Sequence, residues 1–142
     1  MSELKTQIKL IGGTIGLRVG LFLYDHFKQY YTTDKMYDNI KTTQWAVEMY
    51  DSTELIAVGL VEDNQLTYSA VKESHRGNGL QMILIQERLN LLRDTMHCTT
   101  ARMSIRHSNI ASLKSALACG FKIMELTQYD DGEQGYLLTR QL

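Results

Sequence analysis

The stretch that decides the fold is Val71-Lys72-Glu73-Ser74-His75-Arg76-Gly77-Asn78-Gly79-Leu80, with the apolar alternation of residues 66–71 before it and a long apolar stripe after it. A strand that runs through two glycines into a helix turns successive backbone N–H groups toward one point. The positive end of the helix dipole and the Arg76 guanidinium add charge there, so the junction is expected to hold an anion, a phosphate above all. Two glycines also serve tight turns and close packing, and the loop alone leaves that structural alternative open. It lacks the third glycine of a dinucleotide fingerprint and the lysine with serine or threonine of a nucleotide-triphosphate loop, so both of those ligand classes lose ground.

Working outward, residues 78–93 carry Leu80, Ile83, Leu84 and Leu91 on one helical stripe, with Met82, Ile85, Leu89 and Leu92 beside it and Glu87, Arg88 and Arg93 left for solvent. Upstream, residues 43–50 alternate as a half-buried strand. Residues 55–61 and 66–71 supply two more, and Glu62-Asp63-Asn64-Gln65 makes the turn between them. Downstream, Ala101, Met103 and Ile105 alternate with Arg102, Ser104 and Arg106 as a strand. A helix over 109–119 follows, capped by Ser108 and ended by Gly120. Strands at 121–128 and 135–140 flank the polar loop Tyr129-Asp130-Asp131-Gly132-Glu133. At the start of the chain, 8–11 is expected to be a short strand and 14–31 a helical region with Leu17, Leu21 and Tyr24 at helical spacing. The class is α+β around a mainly antiparallel sheet.

The length of 142 residues fits one domain, and no repeat or linker divides it. Fifteen lysines and arginines against 16 acidic residues give no global field for nucleic acid or an anionic membrane, so both partners are disfavoured. Cys98 and Cys119 have neither zinc spacing nor the density of a disulfide scaffold, which points to a reducing cytoplasmic setting and no metal. The apolar run at 8–23 is interrupted by Arg18 and four glycines, too dilute for a span or a signal peptide.

A second segment, Asn109-Ile110-Ala111-Ser112 closing with Ala118-Cys119-Gly120-Phe121, joins the glycine loop in one pattern. Together they resemble the coenzyme A core of the GNAT family of N-acetyltransferases, in the Arg-Gly-x-Gly-x loop after a strand and in the helix that opens on Asn and closes on Gly-Phe. The resemblance covers residues 55–140 and implies a GNAT-like fold with splayed central strands. It also implies acetyl-coenzyme A as acetyl donor and an amine acceptor, with direct attack in a ternary complex. Ser69, Ala70 and Val71 would then meet the pantetheine through their main chain, with an N–H near Val71 facing the developing oxyanion. Arg76, Gly77, Asn78, Gly79, Leu80 and Gln81 would hold the pyrophosphate, and Asn109 would position the pantetheine. Residues 1–42 would form the variable acceptor side and 43–142 the cofactor core. Homodimers through the last strands are common among proteins of this resemblance.

Two departures stand out. Ser74 occupies the place where the family commonly has Gln or Arg, and Ala116 the place of the tyrosine that protonates the leaving thiolate. Seven residues after Asn109, Ala116 is expected on the same face, pointing at the sulfur with no proton to give. Ser112 and Cys119 are substitute acids, and each has an ordinary packing role as its alternative. Glu48 is the first candidate base and Glu73 the second, while His75 and His107 flank the cofactor elements. Tyr24, Tyr30, Tyr31 and Tyr37 could wall an acceptor site or simply pack a helix. Asp130, Asp131 and Glu133 could face a cationic acceptor or solvent. The alternative to an enzyme is a catalytically weak binding or sensor module of the same fold that binds coenzyme A or a protein or RNA partner, and a third reading has the chain acting on RNA or aminoacyl-RNA through a strip of Arg102, Arg106 and Lys114.

Overall fold

A computed structural model describes residues 6–13 and 15–142. In chain order it forms β1 (Thr6–Gly12), α1 (Leu17–Phe27), α2 (Thr33–Ile40), β2 (Trp45–Asp51), β3 (Glu54–Glu62), β4 (Gln65–Val71), α3 (Leu80–Asp94), β5 (Thr100–Arg106), α4 (Ile110–Ala118), β6 (Lys122–Gln128) and β7 (Gln134–Gln141). The seven strands make one sheet in the order β1-β2-β3-β4-β5-β7-β6. Every neighbouring pair is antiparallel except β4 and β5, which run parallel because α3 carries the chain across between them. That parallel pair is joined only at Gln65 with Arg102 and Leu66 with Met103, and the strands then diverge. The expected splayed, mainly antiparallel sheet is what forms.

The middle of the sheet is covered on both faces while its edge strands β1 and β6 are largely exposed, and this corrects the half-buried expectation for β2. All of its residues from Ala46 to Tyr50 are buried. Ala46 and Tyr50 pack with Val19, Leu23, Met36 and Ile40 of α1 and α2, whereas Val47 and Met49 pack with Leu80 and Leu84 of α3. A strand between two helical layers loses its polar alternation.

The helical region expected over 14–31 breaks into α1 and a second helix, α2, whose first N–H groups are capped by the Thr32 hydroxyl accepting from the Lys35 N–H at 3.2 Å; Thr14 lies outside the described residues. The buried stripe of α1 is Val19 and Leu23, while Leu17 and Leu21 are 78% and 58% exposed. Both pairs have i, i+4 spacing, so periodicity alone could not choose between them. At α4 the cap is Asn109 rather than Ser108: its side chain accepts from the Ser112 N–H at 3.2 Å. Gly120 ends the helix at φ +88°, as expected of a glycine in the left-handed region.

Arg88 reverses the solvent role expected for it. It belongs to the buried face of α3 with Leu84, Ile85, Leu89 and Leu92, is fully buried, and has no carboxylate partner among the described residues, while Met82 and Ile83 are exposed instead. Its hydrogen bonds explain the placement. The β3–β4 register shifts between Gly59 and Val61, leaving carbonyls without ladder partners. Arg88 Nη1 donates to Leu60 O at 3.2 Å and to Thr67 O at 3.4 Å, and Nε donates to Leu84 O at 3.1 Å. Burial lowers its pKa to about 9, so it stays charged at neutral pH.

Gly59 makes room for that guanidinium: a Cβ there would come within 2.7 Å of Arg88 Nε. Gly59→Ala is therefore expected to lower stability by about 1–3 kcal/mol in urea unfolding, through overpacking against an anchored side chain. Combined with Arg88→Met, the loss should fall short of the sum of the single losses by roughly 1 kcal/mol, because the clash and its partner disappear together. Strict additivity would show that the two positions do not share this contact.

Candidate functional site

The divergence of β4 from β5 opens a cleft of about 1190 Å³ on one side of the seam and a smaller chamber of about 320 Å³ continuous with it. Phe27, Ser69, Gln81, Asn109 and Ser112 line both, so these five mark the passage between them.

The larger cleft brings Ser69, Ala70, Val71, Arg76, Gly77, Gly79, Leu80 and Gln81 together with Asn109 and Ser112, and adds Phe22, Asp25 and His26 of α1. Gly77 and Gly79 have φ of +82° and +73°, a region that costs a glycine nothing and most other residues strain. α3 begins at Gly79 with no side-chain cap, and its first internal bond is Ile83 N–H to Gly79 O at 3.3 Å. The N–H groups of Leu80, Gln81 and Met82 thus have no acceptor among the described residues, and they open on the cleft at the positive end of a 15-residue helix.

Arg76 bends back over the strand end, donating from Nε to Val71 O at 3.1 Å, with Nη2 3.5 Å from His26 Nδ1. Partial burial, then the Arg76 charge, pushes the His26 imidazole below its usual range, so it is neutral at pH 7. Asn78 does not line the cleft. Its side chain donates to His75 O at 3.0 Å and braces the loop from outside. Gln81 donates to Ser69 Oγ at 2.9 Å, tying α3 to β4 at the passage.

Beside the loop, His75 Nε2 lies 3.0 Å from Asp51 Oδ2 and Nδ1 lies 2.8 Å from Ser74 Oγ, so His75 pins the short 3-10 turn Glu73–His75 to the end of β2. Lys72 pairs with Glu54 on the adjoining strand. Glu73 lines the larger cleft, whereas His107 is exposed and stacks on Tyr136 at 6.0 Å.

On α4 the cleft face is Ala111, Ser112 and Ser115. Ala116 is fully buried in the core with Leu89, Leu92 and Phe121 and does not face the cleft, contrary to the expectation from its spacing. The reason is that Asn109, at φ −90° and ψ 68°, is the cap and not a helical residue, so the 100° step cannot be counted from it. Cys119 packs against the same core, and burial pushes its thiol pKa up. Glu48 is also set apart. It is buried on β2, two strand spacings from β4, accepts from Tyr50 Oη at 2.5 Å, and lines neither space.

The chamber is walled by Phe27, Tyr31, Tyr68 and Tyr129. The aromatic part that patterning missed is Tyr68 on β4 and Tyr129 after β6, whereas Tyr24, Tyr30 and Tyr37 do not line it. Tyr68 Oη accepts from Asn39 at 2.8 Å, and its ring meets those of Phe27 and Tyr31 edge-on. Burial raises the pKa of Tyr68, with the Tyr31 hydroxyl adding to it, and burial likewise raises that of Tyr129.

Arg106 forms the end wall. Its Nη1 donates to Asp131 Oδ2 at 2.8 Å and Glu133 Oε1 at 2.9 Å, and its guanidinium lies between the rings of Tyr30 and Tyr129 at 4.3 and 4.2 Å. Asp131 and Glu133 are thereby occupied by a side chain of this protein rather than presented to a cationic ligand. Arg102 and Arg106 point away from the Ala101, Met103 and Ile105 face on which α3 and α4 pack, so they share no strip with Lys114 of α4. Among the described residues, no group of three His, Cys, Asp or Glu is placed to hold a metal. No described helix is long and apolar enough to cross a membrane.

Hydrogen bonds from the Ser108 side chain, then from Arg106, then from the Ser108 N–H, lower the Glu133 pKa from 4.5 to about 2. A carboxylate with a depressed folded pKa contributes stability that is present above pH 4.5 and is lost as pH falls toward 2. In Glu133→Gln, the melting temperature should depend less steeply on pH across that window than in the wild type, and equal slopes would contradict the clamp.

No protein-family model and no curated protein matches the chain. Solved structures do. An acetyltransferase of GNAT family from Streptococcus pneumoniae superimposes at a TM-score of 0.72 with 11% identity, over 96% of this chain and 99% of that one. Ard1 from Thermoplasma volcanium gives 0.76 at 16% identity, over 95% and 97%. The IAA acetyltransferase from Bacillus cereus gives 0.79 at 13% identity, over 97% and 100%. Identities this low speak for architecture alone, and the architecture is unambiguous: this chain has the fold of the GNAT N-acetyltransferases.

Proposed function

We propose that the protein is an N-acetyltransferase that takes the acetyl group of acetyl-coenzyme A and transfers it to an amine by direct attack within a ternary complex. One observation carries this: the uncapped start of α3 and the two left-handed glycines open into a cleft that continues, through the β4–β5 seam, into a smaller aromatic-walled chamber. A phosphate-binding end and a small-molecule end joined by unpaired strand backbone suit a long ligand with a diphosphate at one end and a reactive group at the other.

Bound there, acetyl-coenzyme A would supply a thioester as acyl donor. The N–H groups from Gly77 to Met82 and the loop held by Asn78 would take its phosphates. The main chain of Ser69, Ala70 and Val71, unpaired on the β5 side, would hold the arm by backbone hydrogen bonds, with Asn109 and Ser112 opposite. In this arrangement residues 43–142 form the cofactor core, and residues 1–42 supply Phe27 and Tyr31 to the acceptor chamber.

The chamber lining contains no carboxylate and no imidazole. An acceptor ammonium would lose its proton to solvent through the open cleft rather than to Glu48. Tyr31, Tyr68, Tyr129 and Ser112 line the chamber and supply hydroxyl protons for a leaving thiolate, which removes the need for a phenol at position 116. The weaker-module reading draws on the cleft face of α4, which has no phenol. Turnover decides between the two.

With an amine panel and acetyl-coenzyme A, free thiol should be released with intersecting initial-velocity patterns. Protein incubated with acetyl-coenzyme A alone should gain no acetyl mass. Parallel patterns with an acetylated Ser112 or Cys119 would contradict direct attack, and cofactor binding without thiol release would favour the module.

A further inference from the structure

The charge of the chamber limits what can enter it. Its lining includes two charged side chains, Arg102 and Arg106, both cationic, and no aspartate, glutamate, histidine or lysine. They lie four residues apart on one face of β5, so their backbones are separated by about 13 Å along the strand, and the chamber stretches between them. At about 320 Å³ it is at the small end of small-molecule pockets, which fits a metabolite-sized acceptor better than a folded protein segment.

The carboxylates that a polyamine would need are elsewhere. Asp131 and Glu133 are spent on Arg106 from the outer side, Glu48 is buried against Tyr50 under α1, and Glu54 is paired with Lys72 at the far rim. Arg106 is fixed by that clamp and by its two flanking rings, so it is a preorganised wall with most of its charge answered. Arg102 differs. Its backbone N–H donates to Asn64 O at 2.9 Å, but its guanidinium has no ion-pair or hydrogen-bond partner among the described residues. A lone guanidinium at the rim of an aromatic chamber attracts an oxyanion and repels a second ammonium.

We infer that the acceptor is a small amine that carries its own carboxylate, an amino acid, with the carboxylate bound by Arg102 and the side chain lying against Phe27, Tyr31, Tyr68 and Tyr129. This rests on the N-acetyltransferase assignment above. The amine and carboxylate of an α-amino acid share one carbon, so the Arg102 side chain, rooted where β4 and β5 are still paired, would extend along the chamber to meet the carboxylate while the amine faces the passage at Ser69 and Asn109.

The test measures thiol release from acetyl-coenzyme A with the common α-amino acids, with their carboxamides, and with spermidine. At least one free acid should show a kcat/KM about tenfold or more above its own carboxamide, the difference a lost charged hydrogen bond makes, and spermidine should be a poorer acceptor than that acid. Arg102→Gln should collapse the acid-to-carboxamide ratio through KM, with acetyl-coenzyme A affinity by calorimetry unchanged. Spermidine or a carboxamide acetylated as well as every acid, or a ratio that survives Arg102→Gln, overturns this inference while the N-acetyltransferase assignment stands. No thiol release with any amine overturns both.

Discussion

Two residue pairs hold β4 to β5, Gln65 with Arg102 and Leu66 with Met103, and beyond them the main chain of β4 has no partner across the seam. Unpaired strand backbone inside a protein is costly unless something else satisfies it, and the fold accommodates the break from both sides. On the β3 side, Arg88 reaches through the core to bond Leu60 O and Thr67 O, fixing the irregular stretch of β4 just after the strands part. On the β5 side, the divided strands face a cleft, where a ligand can bond what the sheet leaves open. α3 begins after only the short 3-10 turn and the glycine loop that follow β4, so its positive end is delivered to the same opening.

Electrostatics divide the opening into two unlike ends. The loop end gathers N–H groups, Arg76 and a neutral His26, and the chamber end gathers phenols with two guanidinium groups. The acidic loop after β6, which a count of charges would offer to a cationic partner, is instead drawn onto Arg106 and closes the chamber wall. The buried cation at Arg88 bonds the main chain of β3 and β4, with its Nη2 and the neighbouring Thr67 Oγ1 lacking a protein partner among the described residues. Partly satisfied polar groups of this kind are a cost to stability that well-packed apolar residues would avoid, and they gather at the seam rather than elsewhere in the core.

Much of this was legible from residues. The left-handed glycines of the loop, the span of α3 as a long helix after it, the turn at Asp63 with φ 52° and the close of α4 at Gly120 each follow from local chemistry that the structure repeats. What failed had a tertiary cause. Arg88 satisfies the helical period of the buried stripe, with Leu84 four residues before it, and only its residue type pointed to solvent; the carbonyls that need it belong to strands remote in sequence. Ala116 was misplaced because the count began at a capping residue. Glu48, the first candidate base on the strand before the hairpin, lines neither space and hydrogen-bonds Tyr50 instead. The chamber's phenols come from α1, β4 and the loop after β6, so no spacing rule joins them. The exposed choice in α1, Leu17 and Leu21 over Val19 and Leu23, depends on which face meets the sheet.

The central claim is that the loop at Arg76-Gly77-Asn78-Gly79 and the seam beside it hold acetyl-coenzyme A. Calorimetric titration of the purified protein with acetyl-coenzyme A tests it most directly, alongside a Gly77→Glu, Gly79→Glu variant verified as folded by circular dichroism. The account predicts saturable one-to-one binding to the wild type and none to the variant, whose carboxylates and side chains would fill the turn that the phosphates need. A folded wild type that binds no acetyl-coenzyme A, or a variant that binds it as well as the wild type, would contradict the account.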